Sequence, residues 1–333
     1  MLVKSPKFDA LDRRLVQALQ VDGRLPFSRI AEVLGVSDQT IARRYTRLRT
    51  EGHIRVIASI DPTLLGEVLW LVRVQCKPDG AEQLGRALAL RDDTAWVTLS
   101  SGGTEISCTT WAPAGLVQES SLLLARLPRT PSVVGMSAHC VMHTFFGGSR
   151  GLTLKSGSLT PEEVNALQPE PVQSEARLPG EQEPVVLDDG DRRMLAVLGR
   201  DARAELAELA AATGWSQSTV RRRLAQLRAS GAVFLDVEYD YRIYELATRV
   251  LLWASVPPAE LQSAGLALAD HPEVAYACAT TGATNLHAVL LCKDLHSLYT
   301  YLTTRVAGLG VRQVETSPIM RALKGPATVH APR

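Results

Sequence analysis

Residues 12–54 of this chain are written a second time at 191–233. Asp12-Arg13-Arg14 recurs as Asp191-Arg192-Arg193, and fifteen of 43 positions are identical without a gap. They include Leu19/Leu198, Asp22/Asp201, Arg24/Arg203, Gly35/Gly214, Ser37/Ser216, Thr40/Thr219, Arg43/Arg222, Arg44/Arg223 and Gly52/Gly231. Chance similarity does not survive so long ungapped, so a module is duplicated and every local reading can be checked against its second copy. The correspondence continues as Asp61/Asp240 and Pro78/Pro257. After a one-residue slip, 100–105 matches 280–285. Between the copies, 147–186 holds five of the 18 prolines, six acids against three bases and no aromatic. That composition predicts a flexible linker, with a short helix at Pro161–Leu167.

Within each copy the repeated stretch has helical spacing. Leu11, Leu15, Ala18 and Leu19 share a face behind the capping residue Asp9, and Asp188, Met194, Val197 and Leu198 repeat the pattern with Gly190 in place of Leu11. A short helix, Ser28 to Leu34, stops at Gly35, and Ser37 caps a third helix that runs to Thr50. Ile41, Tyr45 and Leu48 form the inner stripe of that helix, as Val220, Leu224 and Leu227 do in the second copy. A helix, a glycine turn and a serine-capped helix make a helix-turn-helix.

The third helix is rich in arginine. Residues 216–231 carry four arginines and no acid; 37–52 carry four arginines and two acids. A guanidinium fork suits phosphate oxygens and guanine edges. A formal charge of +1, with 21% charged residues, excludes a grossly polybasic protein but leaves a local basic face open. The expected DNA-binding residues are Ser37, Gln39, Thr40, Arg43 and Arg47, with Ser216, Gln217, Ser218, Thr219, Arg221 and Arg222. Arg44 and Arg223 lie beside the apolar stripe and read as mainly structural, pairing with an acid of the first helix or holding a phosphate.

Beyond the helices Ile54–Ile60 reads as a connecting strand. Each copy then alternates as βαββαβ. The first gives Leu69–Cys76, Asp79–Leu90, Ala95–Ser101, Thr104–Ala112, a second helix at Gly115–Leu127 and a strand at Val133–Met142. The second gives 247–255, 258–269, 273–280, 284–292, 294–307 and 311–319. This is the ferredoxin-like order, whose sheet has one face covered by helices and the other in need of a partner sheet. The expected class is α+β, with two three-helix (winged) helix-turn-helix domains and two ferredoxin-like domains in an intramolecular pseudo-dimer. The expected boundaries are 1–60, 61–146, the linker 147–186, 187–239 and 240–333. Pairing of the sheets within one chain and exchange between two chains both remain open.

The chain resembles a tandem duplication of the Lrp/AsnC (leucine-responsive regulatory protein) family of prokaryotic transcription regulators. The resemblance is carried by Asp22-Gly23-Arg24, Ile30-Ala31, Gly35-Val36-Ser37, Thr40-Ile41, Arg43-Arg44, Leu48 and Gly52-His53-Ile54, with their second-copy counterparts. It implies sequence-specific binding to double-stranded DNA, here an imperfect palindrome because the two reading helices differ. It also implies an amino-acid or metabolite effector between the ferredoxin-like domains, near a glycine loop that ends in an acid. At that loop stand Ser101, Gly102, Thr104 and Glu105, and in the second copy Thr281, Gly282, Thr284 and Asn285. The acid is one methylene longer than usual in the first loop and is an amide in the second, and hairpin turns alone account for such residues equally well.

The same scaffold resembles that of sirohaem decarboxylases, so a tetrapyrrole-binding enzyme is the alternative. His139, Cys140 and His143 invite a metal or haem reading, yet on a strand 139 and 143 face one side and 140 the other. No phosphate loop, nucleophile elbow or paired-carboxylate motif is present, so no catalytic residue, metal or cofactor is expected. Five scattered cysteines without a CxxC pair fit reduced core thiols in the cytoplasm. No apolar run approaches 18 residues, and no membrane association is expected. A homo-dimer or higher oligomer of the pseudo-dimeric chain is compatible with this reading.

Overall fold

The computed structural model describes residues 8–113, 127–148, 155, 157–168, 183–326 and 330. The helix expected at Gly115–Leu127 lies outside them, except for Leu127 in a 3-10 turn, Leu127–Arg129. The chain forms two compact units. One comprises Met1–Ser59, Ser149–Arg177 and Asp188–Leu246, and the other Ile60–Gly148, Leu178–Leu187 and Ala247–Arg333.

The first unit contains both helical modules. In the first copy these are α1 (Ala10–Val21), α2 (Phe27–Leu34), α3 (Asp38–Thr50) and the strand β1 (Ile54–Ile60). Asp9 and Asp12 form a reciprocal capping box, and Gly35 ends α2 at φ 68°, in the left-handed region. The linker contributes α5 (Pro161–Leu167), opened by a Thr160/Glu163 capping box. This part of the linker is not free. Leu159 and Leu167 are buried, Glu163 pairs with Arg14, the Leu159 amide donates to Gln17 at 2.7 Å, and Arg29 donates to the Ala166 carbonyl at 2.8 Å. Leu159 and Leu167, eight positions apart, thus anchor the expected short helix, which packs against α1 and α2.

The second copy gives α6 (Asp189–Leu198), α7 (Leu206–Thr213), α8 (Gln217–Ala229) and β6 (Val233–Tyr239), and β1 pairs with β6. Gly190 replaces Leu11 for a steric reason: a Cβ there would stand 1.9 Å from Trp215, which fills the space. The two copies hold one another reciprocally. Arg24 donates to the carbonyls of Ala202 and Ala204, and Arg203 donates to those of Gly23 and Leu25. Arg49 pairs with Asp201, and Arg228 with Asp22.

The second unit is a closed eight-stranded barrel. Its first half is β2 (Glu67–Cys76), α4 (Pro78–Ala89), β3 (Thr94–Ser100), β4 (Glu105–Pro113) and β5 (Val133–Phe146). Its second half is β7 (Thr248–Ser255), α9 (Leu261–Asp270), β8 (Val274–Thr280), β9 (Leu286–Cys292), α10 (Leu295–Thr304) and β10 (Gln313–Ala322). Each half shows the ferredoxin-like strand order, β3-β4-β2-β5 and β8-β9-β7-β10. The expected partner sheets therefore come from the same chain. They also join at both edges, β5 with β8 and β10 with β3, all antiparallel. Closure removes the edges that a lone four-stranded sheet would expose.

Each last strand overshoots into the other half. Phe145 enters the core of the second half beside Gly265, where a Cβ would meet its ring at 2.2 Å. Leu323 enters the first core beside Gly85, where the distance would be 2.6 Å. The barrel interior packs Leu71, Leu251, Trp253 and Cys278.

Candidate nucleic-acid interface and barrel interior

Helices α3 and α8 begin at serine caps. Ser37 Oγ accepts from the Thr40 amide and Ser216 Oγ from the Thr219 amide, both at 3.2 Å, so these hydroxyls are largely committed to the helix start. The Thr40 and Thr219 hydroxyls lie 2.9 Å from the same serines, and Ser218 Oγ lies 2.8 Å from Ser216 Oγ. Ile41, Tyr45 and Leu48 are buried, as are Val220, Leu224 and Leu227, which turns the opposite face of each helix outward. Gln39, Arg43, Gln217, Arg221 and Arg222 are exposed there. Arg43, Arg221 and Arg222 have no ion-pair partner among the described residues.

The remaining arginines hold the fold. Arg44 donates to Asp9 and Asp12, and Arg223 clasps Asp191 through Nε and Nη2 at 2.8 and 2.6 Å. Asp12 and Asp191 are fully buried. Burial alone would raise the Asp191 carboxyl, but hydrogen bonds from Arg223 and the Asp188 cap hold it below the ordinary aspartate range. Arg47 departs from its expected role: it chelates Asp12 with both contacts at 2.7 Å, although its side chain remains 40% exposed. Gln226 occupies the matching position in the second copy, so only the first copy spends two arginines on this aspartate. The cross-copy pairs Arg49–Asp201 and Arg228–Asp22 escaped the sequence reading, although all four residues are identical between the copies. That identity was the available signal.

The two glycine loops of the barrel are less alike. Ser101, Gly102 and Gly103 form a tight turn at φ 52°, 74° and 84°, and Thr104 Oγ1 donates to the Ser101 carbonyl at 2.8 Å. Glu105, which follows, is buried and accepts from Arg73 Nε and Nη2 at 3.1 Å each. In the second loop Asn285 clasps the Val256 backbone, accepting from its amide and donating to its carbonyl at 2.9 Å. The Thr284 carbonyl accepts from Thr280 Oγ1. Thr281 Oγ1 accepts from the Cys140 amide, and Gly282, at φ 106°, passes so close to His139 that a Cβ would stand 2.7 Å from Nδ1. Acid and amide are thus both engaged by the protein itself.

His139 lies inside the barrel, bonded to the Thr281 carbonyl and to Ser137, whereas His143 stacks edge-on against Phe145. Cys140 lies on the alternate face of the strand, and these three residues do not converge. The Trp253 ring contacts those of His139 and His287 in tilted arrangements, with ring centroids 5.0 and 4.0 Å away. Burial drives the His287 imidazole down to about 3, so it is neutral. Among the described residues no group of three or more His, Cys, Asp or Glu could hold a metal ion. Burial pushes the thiols of Cys108 and Cys278 up to about 12, which keeps them protonated. Among the described residues no helix is long and apolar enough to cross a membrane.

Comparison with known proteins agrees with this geometry. The AsnC-type helix-turn-helix domain matches residues 8–49 and again 187–228, and the Lrp/AsnC ligand binding domain matches 249–329. An uncharacterized HTH-type transcriptional regulator of Pyrococcus furiosus is 31% identical over 100 residues, 29% of this chain and 68% of that protein. A similar regulator of Pyrococcus horikoshii is 30% identical over 102 residues, 30% of this chain and 65% of its own length. The HTH-type transcriptional regulator FL11 of Pyrococcus furiosus is 25% identical over 142 residues, 42% of this chain and 93% of that protein. Among solved structures, the siroheme decarboxylase NirDL shares the tandem fold, with a TM-score of 0.61 and 14% identity over 95% of this chain and 93% of that one. With both helix-turn-helix segments and a ligand-binding domain accounted for, the chain belongs to the Lrp/AsnC family.

Proposed function

We propose that this protein is a sequence-specific DNA-binding transcription regulator that reads an imperfect palindrome with two unlike helices of a single chain and acts in the cytoplasm. The observation that carries this reading is the pair of outward faces on α3 and α8, held in one unit by the reciprocal arginine contacts. N-terminal turns of such helices enter the major groove, and Gln39, Arg43, Gln217, Ser218, Arg221 and Arg222 are the side chains with reach to base edges or phosphates. Ser37, Thr40, Ser216 and Thr219 shape the helix starts beside them. Arg47 joins the contact only by leaving Asp12.

The two readers differ in charge. The outer face of α8 offers Arg221 and Arg222 without an acid, whereas α3 offers Arg43 and carries an acid, Asp38, in its first turn. The second half-site is therefore the electrostatic anchor, and the first discriminates by repelling or accepting at Asp38. A small-molecule effector acts through the barrel unit, as its ligand-binding domain match suggests. Assembly beyond one chain builds on the pseudo-dimer. The test is a fluorescence-anisotropy titration of duplex DNA with wild type and with Arg43→Ala/Arg222→Ala. Specific binding lost in the double variant supports the reading; unchanged binding removes the helix assignment.

A tetrapyrrole-binding enzyme is the second reading, favoured by the tandem fold shared with siroheme decarboxylase NirDL. Titration with an iron–uroporphyrin, read by visible absorbance, separates the two.

A further inference from the structure

Inside the barrel one guanidinium serves two carboxylates. Arg73 holds Glu105 from the first half and Glu315 from the second, reaching Glu315 Oε2 through Nη1 at 3.0 Å. The two partners are not equivalent. The Glu105 side chain is 7% exposed and has Ser107 Oγ within 3.4 Å, whereas the Glu315 side chain is 47% exposed. Beside this cluster lies a cavity of about 310 Å3 lined by Arg73, Gln75, Gly135, Met136, Ser137 and Glu315. The Arg73 guanidinium also lies over the Trp253 ring, 5.1 Å from its centroid, which fixes the plane of the fork.

We propose that the Nη1/Nη2 edge of Arg73, now held by Glu315, is the anchor for the carboxylate of a small organic acid, and that Glu315 is the built-in competitor which the ligand displaces. Guanidinium and carboxylate match as two parallel hydrogen bonds, so an incoming carboxylate repeats the geometry Glu315 now supplies. Exchange leaves the charge at Arg73 unchanged and returns the half-exposed glutamate to water. Gln75 and Ser137 provide donors and acceptors for the remainder of the ligand, and Ser137 Oγ contacts His139 Nε2, whose ring is bonded to the second glycine loop. This differs from capture of a ligand's ammonium group by the loop acid, because Arg73 already engages Glu105.

The site occurs once per chain. Arg73 stands opposite Ser107 on β4 and Ser137 on β5. The matching register positions in the second half hold Trp253 opposite His287 and Glu315. An indole cannot substitute for the guanidinium, and Asn285 replaces Glu105. Duplication has left one carboxylate anchor where two identical chains would give two.

The inference rests on the regulator reading only in making this ligand the effector; the site is tested without DNA. Isothermal titration of the full chain uses pyruvate, L-alanine and n-propylamine as probes, against wild type, Glu315→Gln and Arg73→Lys, with melting curves to establish folding. The expected result is saturable binding of pyruvate or L-alanine at one per chain. It tightens about tenfold in Glu315→Gln, where a charged competitor becomes neutral, and weakens at least tenfold in Arg73→Lys. Binding of both acids identifies the carboxylate as sufficient, and binding of L-alanine alone adds the amino group to the recognised chemistry. No acid binding to wild type or folded Glu315→Gln, two sites per chain, or binding of n-propylamine in place of the acids overturns the proposal. DNA affinity measured separately stays unaffected by such a failure.

Discussion

Arg24 and Arg203 occupy the same position in the two copies, and each fastens onto the backbone of the other copy. Arg24 donates at 2.6 and 3.0 Å, and Arg203 at 2.6 and 3.1 Å. Arg203 is further packed over Phe27, 4.4 Å from the ring centroid. Burial lowers the pKa of both guanidiniums, and in Arg24 the neighbouring Arg203 charge adds to this. The carbonyls are what make the close approach of two cations tolerable. Either arginine changed to Met leaves carbonyls unmet and should cost about 2 kcal/mol, judged by urea denaturation. The double variant should cost more than twice that, since either single variant already relieves the mutual repulsion and the double variant gains that relief only once.

The reading helices make a separable prediction about salt. Removing Arg221 and Arg222 should lower the slope of log affinity against log salt by about 2, since each phosphate contact contributes about 0.9. Arg43→Ala should change the slope by about 1 at most and chiefly alter base preference at the weaker half-site. Anisotropy titrations between 50 and 200 mM salt, conditions on the order of those used for such slopes, distinguish the two.

The overshooting strands predict a matched pair of steric defects. Gly265→Ala places a methyl into Phe145, and Gly85→Ala places one against Leu323. Overpacking of this kind costs about 1–3 kcal/mol. The aromatic ring is stiffer than a leucine side chain, so Gly265→Ala should be the more destabilising variant in a guanidinium melt. Phe145→Ala should cost less on the Gly265→Ala background than in the wild type if the clash is the cause.

Asp236 gives a pH signature. It stands on β6 where the first copy has the buried Ile57, and burial raises its carboxyl to about 6. A carboxyl raised in the folded state binds its proton more tightly there than when unfolded. Its favourable contribution is therefore complete below about 4, its ordinary value, and lost as pH rises through about 6. Asp236→Asn should stabilise the protein at pH 8 by roughly 1–3 kcal/mol and leave it nearly unchanged at pH 4. Thermal melts across that range read the difference directly.

Much of this architecture was legible because duplication printed it twice. The capping aspartates, the left-handed glycines and the serine caps follow local rules that operate within one turn of chain. The strand order of each half follows from its βαββαβ alternation. What sequence hid were contacts between residues far apart. Arg43 and Arg47 look alike as letters, and only the packing of α1 against α3 brings Asp12 within reach of Arg47. Phe145 and Leu323 lie beyond Met142 and residue 319, where the last strands were expected to end, while their glycine notches lie within ordinary helices. Arg73 sat unremarked in a β-strand pattern, because its two carboxylates lie 32 and 242 positions away.

The central claim is that one chain presents two unlike readers to one duplex, and selection from a random DNA pool tests it most directly. The expected outcome is a bipartite motif whose halves differ in sequence and whose information content falls unequally when Arg43 or Arg222 is replaced. A motif with identical halves, or a pool that shows no enrichment with a folded protein, contradicts it.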